Sequence, residues 1–328
     1  LPEWLIEQGI GETRAALVQD GQIVEARIEL DGTVPAGSIV KAKLVSVGSS
    51  GRNGSALAQG GGEYLLPMVP RGITEGAKIV IEVTRPALPG PEPWKRALAK
   101  VSPEEPKPMA SLAERLGKGG AAAIRELPFP GAKDELAEAG WNDVIEETRS
   151  GRVDFPGGSL GLFLTPAMTP IDVDGPLPPE ELMLRGAEAA ARAIRRLDIG
   201  GSIGIDLPTA PGKQARKAAA EIVDSILPQP FERTAINGFG FLQIVRPRSR
   251  PSLLEIWSDP ASAEARTLLR RVAFEGVGAK RIVAHPEVIA VLERQPAWLE
   301  VLARQTGGYV ALRPDAALPM SGGYAEKR

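Results

Sequence analysis

The chain has 328 residues, enough for two or more domains with cores of their own. Its 43% hydrophobic and 24% charged residues exclude a wholly disordered or membrane-dominated chain. With 39 Lys+Arg against 41 Asp+Glu the net charge is −2, so bulk charge does not advertise a nucleic-acid binder, and only basic clustering on one face would make one.

Residues 12–30 alternate apolar and polar about Asp20-Gly21, a hairpin signal. Val40 to Val47 and Ala77 to Val83 read as further strands, with a glycine-rich turn from Gly48 to Gly62 and then Glu63-Tyr-Leu-Leu-Pro67. Short strands with glycine turns over about 65 residues suit an OB-type β-barrel. Pro86 to Pro108 is proline-rich and reads as a linker, and one helix is expected from Lys133 through Trp141 to Thr148.

From about Ser159 strands alternate with helices. Leu160 to Leu164 and Met168 to Val173 read as paired strands, Pro178 to Leu197 as a helix, and Ser202-Ile-Gly-Ile-Asp206 as a buried strand. A helix over Lys213 to Ile226 and two strands about Gly238-Phe239-Gly240 follow. Beyond Asp259 the pattern is helix, strand, helix, strand to Pro314, and the tail from Ser321 to Arg328 is expected to fray.

The absence of cysteine removes disulfides, thiolate zinc sites and cysteine nucleophiles. The lone histidine, His285, lies in Arg281-Ile-Val-Ala-His-Pro286, a strand end entering a helix, and reads as structural. No apolar run approaches the roughly 18 residues of a membrane helix. Leu1-Pro2-Glu3-Trp4 lacks the features of a signal peptide, so a cytoplasmic location without a membrane partner is expected.

Carboxylates are then the place to look for chemistry. Asp172 and Asp206 each close an apolar run, with one helix between them. A strand–helix–strand crossover makes the strands parallel and neighbouring, which puts both acids at the carboxyl edge of the sheet, where open α/β sheets bind ligands. Two adjacent carboxylates repel unless a proton or a cation intervenes, and Mg²⁺ takes one or two of them. Asp174, two residues on, shares their strand face. The other reading makes each aspartate a cap of the following helix or turn. On the basic side, Arg246-Pro-Arg-Ser-Arg250 follows an apolar strand, so Arg246, Arg248 and Arg250 project at one end of the sheet, where guanidinium forks suit phosphates. Phe239 and Phe241 offer stacking surfaces. A solvated loop is the alternative.

These pieces, in this order, resemble the bacterial ribonuclease E/G family. Glu12-Thr-Arg-Ala-Ala-Leu-Val18 is similar to the family's amino terminus, and Glu63-Tyr-Leu-Leu-Pro67 with Glu75 to Ile81 to its OB-fold. Thr169-Pro-Ile-Asp-Val-Asp174 resembles its Asp-x-Asn metal motif, and Ala191 to Asp206 the helix, Gly-Gly turn and strand that end in its second metal aspartate. Gly238 to Leu253 resembles the close of its DNase I-like subdomain. The resemblance implies an α/β (α+β) multi-domain chain. Its parts would be an amino-terminal hairpin of a reduced ribonuclease H-like region (1–34), an OB-fold RNA-binding domain (35–101) and a linker with sensor remnant (102–157). A DNase I-like catalytic subdomain (158–258) and a small α/β domain (259–328) would complete it.

The implied activity is Mg²⁺-dependent endoribonuclease hydrolysis in RNA processing or decay. Asp172 and Asp206 would hold the metal and Asp174 would assist; Arg246, Arg248, Arg250, Tyr64 and Lys95 would contact RNA. Several family features are changed: Asp174 replaces an asparagine, Gly175 to Pro179 replaces an arginine- and glycine-rich stretch, and Met183 stands at a family asparagine. Ser102 to Gly157 is short for a whole ribonuclease H-like portion with its 5′-end sensor, and Ala56 and Leu65 replace platform phenylalanines. Without cysteines no zinc-linked tetramer is expected, while a homodimer through the carboxy-terminal region stays open. A catalytically impaired RNA-binding relative is the rival reading.

Overall fold

Three strands open the chain: β1 (Glu3–Gln8), β2 (Glu12–Gln19) and β3 (Gln22–Leu30). Their hairpin turns at Asp20-Gly21, where both residues take positive φ, as a two-residue turn of this kind requires. The structure, a computed structural model, describes residues 1–49, 52–89, 95–107, 109–120, 122–210 and 212–327.

The next strands are β4 (Ile39–Val47), β5 (Gly54–Ala58), β6 (Glu63–Leu66), β7 (Lys78–Arg85) and β8 (Ala97–Val101). They close a barrel in the order β4-β5-β6-β8-β7, which fits an OB-type barrel. Inward alternation fills it with Leu44, Ala56, Tyr64, Leu66, Ile81 and Val83. The expected linker from Pro86 to Pro108 is corrected in part. Ala97 and Ala99 face inward, and β8 joins β6 to β7. Residues 90–94 and 108 of that stretch, and 50 and 51 of the glycine-rich turn, lie outside the described residues.

Helix α1 (Leu112–Lys118) and strand β9 (Ala123–Leu127) follow, β9 running parallel to β1. The single helix expected over 133–148 is two, α2 (Glu135–Glu138) and α3 (Trp141–Ser150), because Gly140 takes φ +100° between them.

The central sheet is built from β10 (Arg152–Phe155), β11 (Gly158–Leu162), β12 (Thr169–Asp174), β13 (Gly201–Asp206), β14 (Glu232–Arg233) and β15 (Phe241–Arg246). Helix α4 (Pro179–Arg196) connects β12 to β13, and α5 (Lys213–Ile226) follows β13. The strand order is β10-β11-β12-β13-β15-β14, with β12 and β13 the parallel pair.

The last elements are α6 (Leu253–Ile256), α7 (Pro260–Phe274), β16 (Lys280–Ala284), α8 (Pro286–Glu293), α9 (Pro296–Thr306), β17 (Val310–Pro314) and β18 (Tyr324–Lys327). The tail expected to fray is instead ordered as β18, antiparallel to β16, and Glu326 pairs with Arg281 and Arg313. His285 caps α8, its Nδ1 accepting the Glu287 N–H.

The chain forms two compact units, each discontinuous in sequence. One comprises Leu1–Asp31, Leu112–Glu146 and Ile256–Arg328. Besides its apolar clusters it holds a buried ion network: Arg14 pairs with Glu7 and Glu12, Arg266 with Glu12, and Arg270 with Glu7 and Asp134. Burial disfavours the Arg14 charge and lowers its pKa, although both glutamates oppose the shift. The other unit, Gly32–Ser111 with Glu147–Glu255, holds the barrel and the central sheet. Among the described residues no helix is long and apolar enough to cross a membrane.

Candidate active site on the open face of the central sheet

Binary patterning gives the central sheet two unlike faces. Val153, Leu160, Ile171, Val173, Ile203, Ile205 and Leu242 are buried on one face. Helix α4 packs there, close enough that a Cβ on its Gly186 would lie 2.4 Å from Val173 Cγ1. The alternate residues face the other way. Register pairing lines up Arg152, Gly161, Asp172, Asp206 and Phe241 as one row across five strands. Asp172 and Asp206 are direct partners on parallel neighbours, whose backbones run about 4.8 Å apart.

Asp174 joins them from the next position on the same face of β12, opposite Ser159. All three aspartates are exposed. Partial desolvation, then the charges of Asp174 and Asp206, hold the Asp172 carboxyl above its ordinary pKa, while the Val173 N–H pulls it back. No lysine or arginine among the described residues pairs with any of the three. Nor do the aspartates cap helices: the N-cap positions of α4 and α5 are Pro178 and Gly212. Neither helix has a side-chain cap, but Glu180 and Glu181 lie in the first turn of α4 and Glu180 Oε1 is 2.8 Å from where a Gly212 Cβ would sit, so carboxylates already neighbour both amino ends.

The arginines of the expected RNA path are elsewhere. Strand β15 runs antiparallel to β13, so Arg246 faces Gly201 while Phe241 faces Asp206. Five residues of strand, about 17 Å, separate that end from the aspartates. Arg246 Nη1 donates to the carbonyl of Ile199 at 2.8 Å, Arg248 pairs with Glu255, and Arg250 pairs with Asp198. The expectation that these guanidiniums project from the sheet toward phosphates is thus corrected, since each is engaged within its own unit.

Tyr64 is also corrected as an RNA contact. The alternation of β6 turns it into the barrel, where it is 4% exposed and burial raises its phenol pKa. Lys95 is half-buried just before β8, its carbonyl accepting the Leu88 N–H at 3.1 Å, in the barrel rather than on the aspartate face. Ala56 is enclosed in the barrel core, and Met183 is buried in α4.

Sequence reading missed Phe163, Gly161 and Gly204. A Cβ on Gly161 would lie 2.9 Å from the Phe163 ring, and one on Gly204 would lie 2.7 Å from the Phe241 ring and 3.3 Å from Met168 Sδ. The two glycines therefore let aromatic rings lie on the sheet beside Asp172 and Asp206. The available signal was glycine inside a strand pattern, which marks close approach. Phe239 reaches the same edge in a turn held by Asn237 Oδ1, which accepts the N–H groups of Phe239 and Phe241.

A metal ion suits this donor set, because hard oxygen ligands without a cationic partner are what Mg²⁺ takes. Among the described residues no group of three or more His, Cys, Asp or Glu side chains is placed to hold a metal ion. A scan of the sequence against protein-family models gives no match, and neither does a comparison with curated proteins.

Proposed function

We propose that the chain is a Mg²⁺-dependent endoribonuclease of the ribonuclease E/G type, hydrolysing RNA phosphodiester bonds on the open face of the central sheet. The observation that carries the reading is the pairing of Asp172 with Asp206 on adjacent parallel strands, with Asp174 beside them and no cationic partner among the described residues. Asp172 and Asp206 would hold the metal, and Asp174 would accept hydrogen bonds from water around it. When bound, the ion lowers the pKa of its water and offsets charge building on the phosphoryl oxygens. The chain's own residues orient the substrate. The amino end of α5 would meet a phosphate at this edge only with Glu180, whose Oε1 lies 2.8 Å from where a Gly212 Cβ would sit, turned away. Within this reading the barrel is the RNA-binding OB-fold, residues 158–258 are the DNase I-like subdomain, and residues 1–34 belong to a reduced ribonuclease H-like region.

The second reading, a catalytically impaired RNA-binding relative, is favoured by one observation. Arg246, Arg248 and Arg250 are committed to internal partners at the far end of the sheet, so the acids lack basic companions from that segment. Incubating the full chain with a short single-stranded RNA, with Mg²⁺ or EDTA, separates the two. Cleavage in Mg²⁺ that is lost in Asp206→Asn supports the nuclease; RNA binding in EDTA without cleavage in Mg²⁺ supports the relative.

A further inference from the structure

The open face carries more than acids. Phe163 is 55% exposed and Phe239 81%, unusual for side chains of this size, and Phe241 is half-buried. The rings of Phe163 and Phe241 are placed by the strands themselves. One covers Gly161, where a Cβ would also lie 3.8 Å from Asp172 Cβ; the other covers Gly204, two residues before Asp206, with Met168 Sδ close by. The aspartate pair is therefore bracketed by an aromatic ring on the β11 side and another on the β15 side.

Three occupants compete for such a face. A protein partner, or a second copy of the chain, would cover the rings, but it would also enclose Asp172, Asp174 and Asp206, which have no cationic partner among the described residues. A nucleotide meets both halves of the face: its planar base matches the rings, and its phosphate meets the acids through a divalent cation. The rings lie beside the acids, since Phe163 covers Gly161, the cross-strand partner of Asp172, and Phe241 is the cross-strand partner of Asp206, on strands about 4.8 Å apart.

We infer that Phe163 and Phe241 are a stacking platform for the nucleobases on either side of the phosphodiester at Asp172 and Asp206. This deepens the nucleic-acid reading above and rests on it. The platform selects for unpaired strands, because bases in a duplex have their faces covered. It grips the base face rather than its edge, so it tolerates every base. Phe163 and Phe241 are positioning residues in the proposed reaction, with Gly161 and Gly204 as the spaces that seat them.

The test compares the full-length protein with the Phe163→Leu/Phe241→Leu variant, which keeps apolar volume at two partly exposed positions; unfolding midpoints check that both are folded. Affinity is measured in Ca²⁺ and again in EDTA for a short single-stranded oligonucleotide, and for the same backbone with abasic sites at its centre. The expected result is that wild type prefers the base-containing strand by roughly tenfold or more for each base stacked, and that the double variant loses the preference while its affinity for the abasic strand is unchanged. Equal affinity of wild type for the two strands, or a preference that survives in the folded variant, overturns the inference. A change of oligomeric state in the variant with no change in the base preference also overturns it, and assigns the face to a second copy. If Mg²⁺ produces no cleavage but the preference and its loss are seen, the nuclease reading fails and the platform stands.

Discussion

Asp172 and Asp206 are register partners on parallel neighbouring strands, and both carboxylates leave the sheet on the face opposite the helix layer. Like charges placed directly side by side destabilise a sheet, and Asp174 adds a third charge; partial desolvation first, and then the charges of Asp174 and Asp206, make the Asp172 carboxyl hold its proton more tightly than usual. Such an arrangement costs stability, and a cation bound between the carboxylates, as proposed, would offset that cost.

Asp206→Asn therefore has two expected effects of opposite sign. Mg²⁺-dependent RNA cleavage falls to background, while the EDTA-treated protein becomes more stable by up to about 1 kcal/mol. Urea unfolding in EDTA and in Mg²⁺ measures this, with Mg²⁺ stabilising wild type more than the variant. A variant destabilised in EDTA would count against the repulsion.

Gly186→Ala should loosen the layer that sets the face. The new Cβ would sit 2.4 Å from Val173 Cγ1, a side chain between Asp172 and Asp174 on the buried side of β12. Overpacking of this kind costs about 1–3 kcal/mol. Urea denaturation reads the net loss, which is this cost less the roughly 0.8–1.0 kcal/mol returned by alanine's better helix propensity; a variant more stable than wild type would count against the close packing.

Replacing Arg246 and Arg248 by alanine is expected to lower stability, by about 2–5 kcal/mol together, and to leave the salt dependence of RNA affinity unchanged. Their partners are the Ile199 carbonyl and Glu255, the latter 2% exposed and left without its guanidinium. A salt slope reduced by about 0.7 for each arginine would instead mark phosphate contacts.

Asp134→Asn tests the buried network in the other unit. Burial works to raise the Asp134 pKa, but the hydrogen bonds from Arg270 and the Ala137 N–H overcome it and leave the carboxyl below its ordinary value. A depressed folded pKa contributes stability above the unfolded value, about 3.9, and that contribution is lost as pH falls through the folded one. Asparagine keeps an oxygen for the Ala137 cap, so the charge is what changes. The gap in unfolding free energy between wild type and variant should be largest near pH 7 and narrow as the pH is lowered below the ordinary carboxylate range.

Local pattern determined much of this molecule. Alternation about Asp20-Gly21 specified the first hairpin, short strands with glycine turns specified a barrel, and two apolar runs ending in aspartate around one helix specified parallel neighbours with their acids at one edge. These are properties of period, turn chemistry and crossover handedness, all written in contiguous residues. Tertiary structure decided what depends on direction and on distant partners. Arg246 followed an apolar strand just as the aspartates ended theirs, but β15 runs antiparallel to β13 and carries it to the opposite end of the sheet. Tyr64, an RNA contact by family resemblance, is turned inward by the pairing of β6, and the tail gains order only because β16 offers it an edge. The seats of Phe163 and Phe241 depend on glycines two and 37 positions away in sequence. No local period records which ring will cover which gap, because that is fixed by cross-strand register and packing.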